Sequence, residues 1–271
     1  MYGITKHQLT YDGTPVPQYP TGNMGGTMSP KFLVIHYTAG PQDAHGTAKY
    51  FQNPASKVSA HLNVGEDGTI TQSVPFNRVA WHAGVSSWAG LSGLNNHSIG
   101  IEVINPGPLE RLANGRYKSW WGKIYSDDDY PIFQATHKSG RPTAYWIPFT
   151  EAQNEVLLEV GALLMNNYKL NEAVGHDMIS PGRKTDPGPT MDDRIYIRLN
   201  GGLDIADNFG DYIINVNLLN VRSGPGTSHS IIGKLRKGNS VKFKDSSGDW
   251  LFVELENGSY GYIGSKFATK K

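Results

Sequence analysis

The sequence predicts an α/β domain followed by a small all-β barrel. Two periodicities share the first part of the chain. Short apolar or alternating runs read as strands, and Val156, Leu157, Val160, Leu163, Leu164 and Tyr168 recur at the spacing of one long helix. From about Tyr212 the texture changes to short β-favouring runs separated by Gly-, Pro- and Asn-containing turns.

In chain order, residues 1–30 hold Pro15, Pro17, Pro20 and Pro30 with Gly22, Gly25 and Gly26, and are expected to form an irregular arm outside the core. Phe32-Leu33-Val34-Ile35-His36-Tyr37-Thr38 reads as a strand buried on both faces, ending in a histidine. Asp43 to Phe51 reads as a short helix with Asp43 as its N-cap. Ser59–Val64 alternates as a half-buried strand, Glu66-Asp67-Gly68 turns, and Thr69–Val74 returns as a hairpin. Ser98–Ile104 is a further strand, with Ile99, Ile101 and Val103 on one face and Glu102 on the other. Gly100 permits close approach on the Glu102 side.

Residues 105–149, with Trp120, Trp121, Tyr125, Tyr130, Tyr145 and Trp146, read as an insertion outside the core that serves as a functional loop or lid. Thr150-Glu151-Ala152-Gln153 has the form of a capping box and opens the long helix. Ala173–His176 is a strand that runs into a Pro/Gly-rich loop. The first domain, 31–200, closes there, and 201–211 is the expected linker. The terminal domain, 212–271, is expected to have strands at Leu218–Val221, Ile231–Leu235, Ser240–Lys244, Trp250–Leu255 and Gly261–Ile263.

Composition narrows the function classes. With 38% hydrophobic and 18% charged residues in 271, the chain has the makeup of a soluble globular protein rather than a disordered one. It contains no apolar run long enough for a membrane span, and residues 1–26 lack the layout of a secretory signal. Without cysteine, any metal must be held by His, Asp or Glu. Residues 211–271 carry nine Lys/Arg against five Asp/Glu, a net +4 that leaves −3 on the rest. A basic small domain of this kind suits an anionic polymer.

The chemistry gathers around His36, His176 and Asp186. Two imidazoles and one carboxylate, with no fourth protein ligand evident, make the open tetrahedral site of a hydrolytic zinc. Such a site also needs a proton carrier and a stabiliser of developing negative charge. Glu102, on a neighbouring strand, is the candidate base. Lys184, two residues before Asp186 in an extended loop, is the candidate stabiliser. Each of these residues taken singly has a plainer reading as a core histidine, a strand glutamate or a surface lysine.

Five blocks occur in a fixed order: Val34-Ile35-His36-Tyr37-Thr38-Ala39; Ala60-His61 with Glu66–Ile70; Trp81-His82-Ala83-Gly84; Ser98–Glu102; and Gly175-His176 through Lys184-Thr185-Asp186-Pro187-Gly188. Over about residues 30–195 they resemble the zinc-dependent N-acetylmuramoyl-L-alanine amidases of type 2, a family that includes the peptidoglycan recognition proteins. The resemblance implies a mixed central β-sheet flanked by helices. It also implies one catalytic zinc on His36, His176 and Asp186, and cleavage of the amide between the muramic acid lactyl group and L-alanine. Within the anhydro-muropeptide branch it gives Glu102 the task of activating water and Lys184 that of holding the oxyanion. The phage lysozyme branch uses a tyrosine where this chain has Ala60-His61, so the Glu102 reading is favoured. Trp81, His82 and His61 are expected to line the sugar–peptide groove, while His7, His45, His97 and His137 are read as structural.

The end of the chain resembles a bacterial SH3 (SH3b) domain in Leu218–Gly226, Gly233-Lys234-Leu235, Asp249-Trp250 and Gly261-Tyr262-Ile263, with Trp250 and Gly261 as fold residues. Such domains accompany wall hydrolases. The implied partner is peptidoglycan, both glycan strand and stem peptide, with no nucleic acid. Action is expected at the bacterial cell wall or periplasm, reached by lysis, a dedicated export route or a leader outside this sequence. Two other readings stay open at this point: a non-catalytic peptidoglycan-binding protein on the same fold, and a zinc peptidase cutting within the stem peptide.

Overall fold

The computed structural model describes residues 1–138, 143–201, 211–256 and 259–271. The chain divides into two compact units, Met1–Gly202 and Leu203–Lys271. The expected linker falls almost wholly outside the described residues, as does the Asn257-Gly258 turn.

The first unit is built on a mixed sheet. Its elements are β1 (Phe32–Tyr37), α1 (Ala44–Gln52), β2 (Leu62–Val64), β3 (Ile70–Gln72), β4 (Ser98–Val103), α2 (Glu151–Tyr168), β5 (Glu172–Gly175) and α3 (Asp193–Asn200). The strand order is β5-β1-β4-β2-β3, parallel except for the β2–β3 hairpin. All of β1 is buried, as its apolar run requires. Asp43 caps α1 by accepting from Gly46 N–H at 2.7 Å. Thr150 and Gln153 close the capping box on α2, and Gln153 Nε2 also donates to the Ile104 carbonyl, fixing the helix to the end of β4.

Register decides which side chains share a face. Glu102 lies opposite His36 on one side and opposite Asn63 on the other, and Asn63 lies opposite Thr71. His36, Glu102, Asn63 and Thr71 therefore form a polar row across four strands. Helix α1 covers one end of that row, where Thr71 Oγ1 donates to the Ala44 carbonyl. The opposite face is apolar. There, Gly161 of α2 meets Leu33 of β1 and Leu199 of α3.

Three expectations need correction. The N-terminal segment is not an irregular arm. Tyr2–Thr5, Gln8–Tyr11 and Thr14–Pro15 form a small antiparallel sheet, Leu9 is fully buried, and Gln72 Oε1 accepts from Leu9 N–H at 2.8 Å. Its second turn is Asp12-Gly13, both at positive φ, a dipeptide that favours hairpins. The 59–64 segment is not half-buried, because Leu62–Val64 is covered on both faces and Asn63 is fully buried. The insertion 105–149 has a core of its own. Glu110–Arg111, Tyr117–Lys118 and Ile124–Tyr125 pair as a three-stranded sheet over Leu109, Tyr117, Tyr125 and Ile147.

The second unit holds a seven-stranded antiparallel sheet around Ile214, Val221, Val241, Val253 and Ile263. Each of the five expected strands is present to within a few residues. The other two, Asp211–Ile214 and Ala268–Lys270, pair with each other. Gly261 is buried against Val221, where a side chain would collide.

Candidate metal centre

His36 is delivered by the end of β1. His176 begins a helical turn directly after β5, the strand beside β1. Asp186 lies on the loop that follows, and Asp177 N–H holds that loop by donating to the Asp186 carbonyl at 2.7 Å. These three side chains form a buried group whose ligand atoms converge. His36 Nδ1 lies 2.9 Å from His176 Nδ1 and 2.9 Å from Asp186 Oδ2, and His176 Nδ1 lies 2.8 Å from the same oxygen.

The outward nitrogens set the tautomers. His176 Nε2 lies 3.0 Å from the Ala83 carbonyl, and His36 Nε2 lies 3.0 Å from His82 Nδ1. With Nε2–H donated in each case, both Nδ1 atoms present lone pairs to Asp186. Burial and the nearby His176 lower the His36 pKa to about 4, so it is neutral at pH 7. Burial alone would raise the Asp186 carboxyl. The two imidazoles beside it outweigh that and hold it below the usual carboxylate range. Three lone-pair atoms crowded together in one buried place suit a divalent cation. Zinc bonds of about 2.0–2.1 Å at the tetrahedral angle would set these atoms about 3.3 Å apart, a few tenths of an ångström wider than they stand here.

Glu102 is adjacent to His36 in the ladder and lines the same cavity of about 690 Å³, together with Tyr37, Trp81, Trp120, Lys184 and Asp186. Its Oε2 is buried without a hydrogen-bond partner. Burial, then the charge of Asp186, raises its pKa well above the ordinary glutamate value, while Lys184 opposes the shift. A basic carboxylate with an unused oxygen beside the His36, His176 and Asp186 group is equipped to accept a proton.

The residues expected to line the groove separate. Trp81 does line the cavity. His82 touches its wall but sits behind His36. Its Nδ1 takes the His36 proton, and its Nε2 faces the Ser98 carbonyl at 3.4 Å. His82 is thus placed to orient the His36 ring. Gly100 makes room for it, since a Cβ there would stand 2.6 Å from the ring. His61 does not reach the groove. It is fully buried, its Nδ1 accepts from Gly100 N–H at 2.9 Å, and its Nε2 donates to the Arg78 carbonyl at 2.9 Å. Both of its nitrogens are spent on holding β4 to the segment at Arg78.

Arg183 is a residue that the sequence reading missed. Its Nη2 lies 2.7–2.8 Å from the carbonyls of Ala83 and Val85 and from Ser180 Oγ and shares its two protons among them, clamping the 83–85 loop against the loop that carries Asp186. Its neighbours in sequence are only Pro, Gly and Lys, so nothing local marked it. Trp120 is 75% exposed at the cavity rim, and its Nε1–H donates to the Ala39 carbonyl at 2.6 Å.

The buried neutral His61 leads to a prediction about acid stability. Burial lowers its pKa from 6.5 to about 4, so between those values the unfolded chain binds a proton that the folded chain does not. Stability therefore falls as pH falls through that window, and His61 alone accounts for about 2 kcal/mol between pH 7 and pH 5. Urea unfolding of metal-saturated protein at the two pH values measures the loss, and His61→Gln is expected to reduce the difference by about that amount.

The family model described as N-acetylmuramoyl-L-alanine amidase matches residues 26–189, and the model described as bacterial SH3 domain matches residues 217–269. The chain is 31% identical over 182 residues to the 1,6-anhydro-N-acetylmuramyl-L-alanine amidase AmpD of Citrobacter freundii, covering 60% of this chain and 77% of that protein. It is 32% identical over 168 residues to the N-acetylmuramoyl-L-alanine amidase AmiD of Escherichia coli, covering 59% of this chain and 49% of that one. A crystal structure of AmpD superimposes with a TM-score of 0.51 at 25% identity, covering 73% of this chain and 98% of that chain.

Proposed function

Given that the chain belongs to the N-acetylmuramoyl-L-alanine amidase family, we propose that it hydrolyses peptidoglycan at the lactyl–L-alanine amide with one zinc held by His36 Nδ1, His176 Nδ1 and Asp186 Oδ2. The observation that carries this reading is the convergence of those three atoms beside Glu102, whose buried Oε2 has no hydrogen-bond partner. Zinc bound there would polarise the scissile carbonyl and lower the pKa of a water molecule to about 7.

The remaining work falls to the chain. Glu102 accepts a proton from the attacking water and returns it to the departing amine. The water oxygen bonds to the carbonyl carbon, the C–N bond breaks, and the products are a lactyl carboxylic acid and a stem peptide with a free L-alanine amine. Lys184, on the wall of the same cavity, offers an ammonium to the negative oxygen that develops. His82 and Arg183 hold His36 and the metal loop in place.

Mass spectrometry of sacculi digested by the protein, with and without a chelator followed by zinc, tests the proposal. Free stem peptides beginning with L-alanine, lost on chelation and restored by zinc, are expected. Cuts between amino acids would instead show a peptidase, and bound but uncut sacculi a recognition protein.

We assign the SH3 unit to wall attachment, in keeping with its net positive charge. Removing residues 211–271 is expected to weaken pelleting with intact sacculi several-fold more than it slows hydrolysis of a small soluble muropeptide. Equal losses on the two substrates would refute the assignment.

A further inference from the structure

Among the described residues, four buried side-chain polar atoms have no hydrogen-bond partner, and two of the four, Asn63 Oδ1 and Glu102 Oε2, sit on residues directly opposite each other in the sheet. Unpartnered buried acceptors are costly, so a pair on ladder partners calls for a common cause. The Asn63 amide is not free to turn. Thr71 Oγ1 donates its own proton to the Ala44 carbonyl at 3.2 Å, so it can only accept from Asn63, and Asn63 Nδ2 stands 3.1 Å away to donate. Ser73 Oγ lies on the same side, 3.5 Å from Nδ2. With the nitrogen directed to β3, the planar amide turns its oxygen to the other side, where β4 carries Glu102.

We propose that Asn63 is a positioning residue for Glu102, acting through one ordered water that donates to Asn63 Oδ1 and to Glu102 Oε2. Two acceptors on adjacent strands, both shut away from solvent, give such a water the partners it needs. With Oε2 held toward the sheet interior, the other oxygen of Glu102 is left to face the cavity. Asn63 itself is fully buried and is not on the cavity wall, so it touches neither metal nor substrate. The short run Leu62–Val64 thus contributes to the chemistry through its single polar residue. The inference rests on the reading of Glu102 as the proton acceptor.

The test uses the zinc-loaded full chain. Asn63→Leu keeps the number and branching of the side-chain heavy atoms and removes the amide. Its kcat is expected to fall about ten- to a hundredfold, the effect of losing one hydrogen bond to a charged group, while KM and zinc stoichiometry stay unchanged. Combined with Glu102→Gln, Asn63→Leu should add no further loss, because it acts only through that carboxylate. An inactive Glu102→Gln beside a fully active Asn63→Leu would overturn this inference alone. A fully active Glu102→Gln would overturn the reading of Glu102 and the inference with it. A high-resolution crystal structure of the unsubstituted zinc-loaded protein decides the point independently of how Asn63→Leu folds. Water density within hydrogen-bond distance of both oxygens supports the proposal, and direct bonds from protein donors to Asn63 Oδ1 would overturn it.

Discussion

Asp186→Ala is expected to lose zinc and activity together. The carboxylate is the one anionic member of the ligand set, and its Oδ2 stands within 2.9 Å of both imidazole nitrogens. Without it, two neutral histidines face each other with no charge to offset a divalent ion. Loss of an outer partner of a metal site costs about 10–100-fold in affinity or activity, so loss of a ligand should cost more. Metal analysis after dialysis is expected to find well under one zinc per chain, with turnover at background. Stoichiometric zinc with normal activity would mean that the ion binds elsewhere. The fold should persist, because the apolar face of the sheet and the helices packed on it do not depend on this loop.

Glu102→Gln should separate chemistry from metal binding. The amide nearly matches the carboxylate in shape but has no useful basicity. Zinc content and thermal stability should therefore stay near those of the unsubstituted protein, while kcat falls about 10²–10⁴-fold, the usual worth of a positioned acid–base group. Any change in stability is expected to be a small gain, since burial opposes ionisation of the natural side chain. Single-turnover kinetics with a soluble muropeptide would measure the effect. A loss confined to KM would assign Glu102 to substrate binding.

The two variants probe parts of the site that differ in how legible they were. His36, His176 and Asp186 are far apart in the chain, yet each follows or ends a strong apolar run or a Pro/Gly loop, and these local signals survive in one dimension. Period-two alternation likewise put Glu102 on the face opposite Ile101 and Val103, as the sheet has it. Sequence could not tell His61 from His82. Both are histidines beside small residues in loop or strand termini. Only packing sends one behind His36 and the other into a pair of backbone bonds with Gly100 and Arg78. Nor could it show that Arg183 clamps Ala83 and Val85, a contact across about a hundred residues.

The sequence by itself determined the strands of the central sheet, the long helix, the candidate ligand types and the position of the turn-rich terminal unit, because periodicity, capping and turn chemistry are properties of neighbouring residues. The tertiary structure decided which polar groups meet. Parallel pairing of β1, β4 and β2 sets His36, Glu102 and Asn63 side by side, and their order in the sheet differs from their order in the chain. Register and burial depend on long-range pairing, which no window of sequence contains. For the same reason the N-terminal hairpin entered the core and Asn63 came to lie against the candidate base.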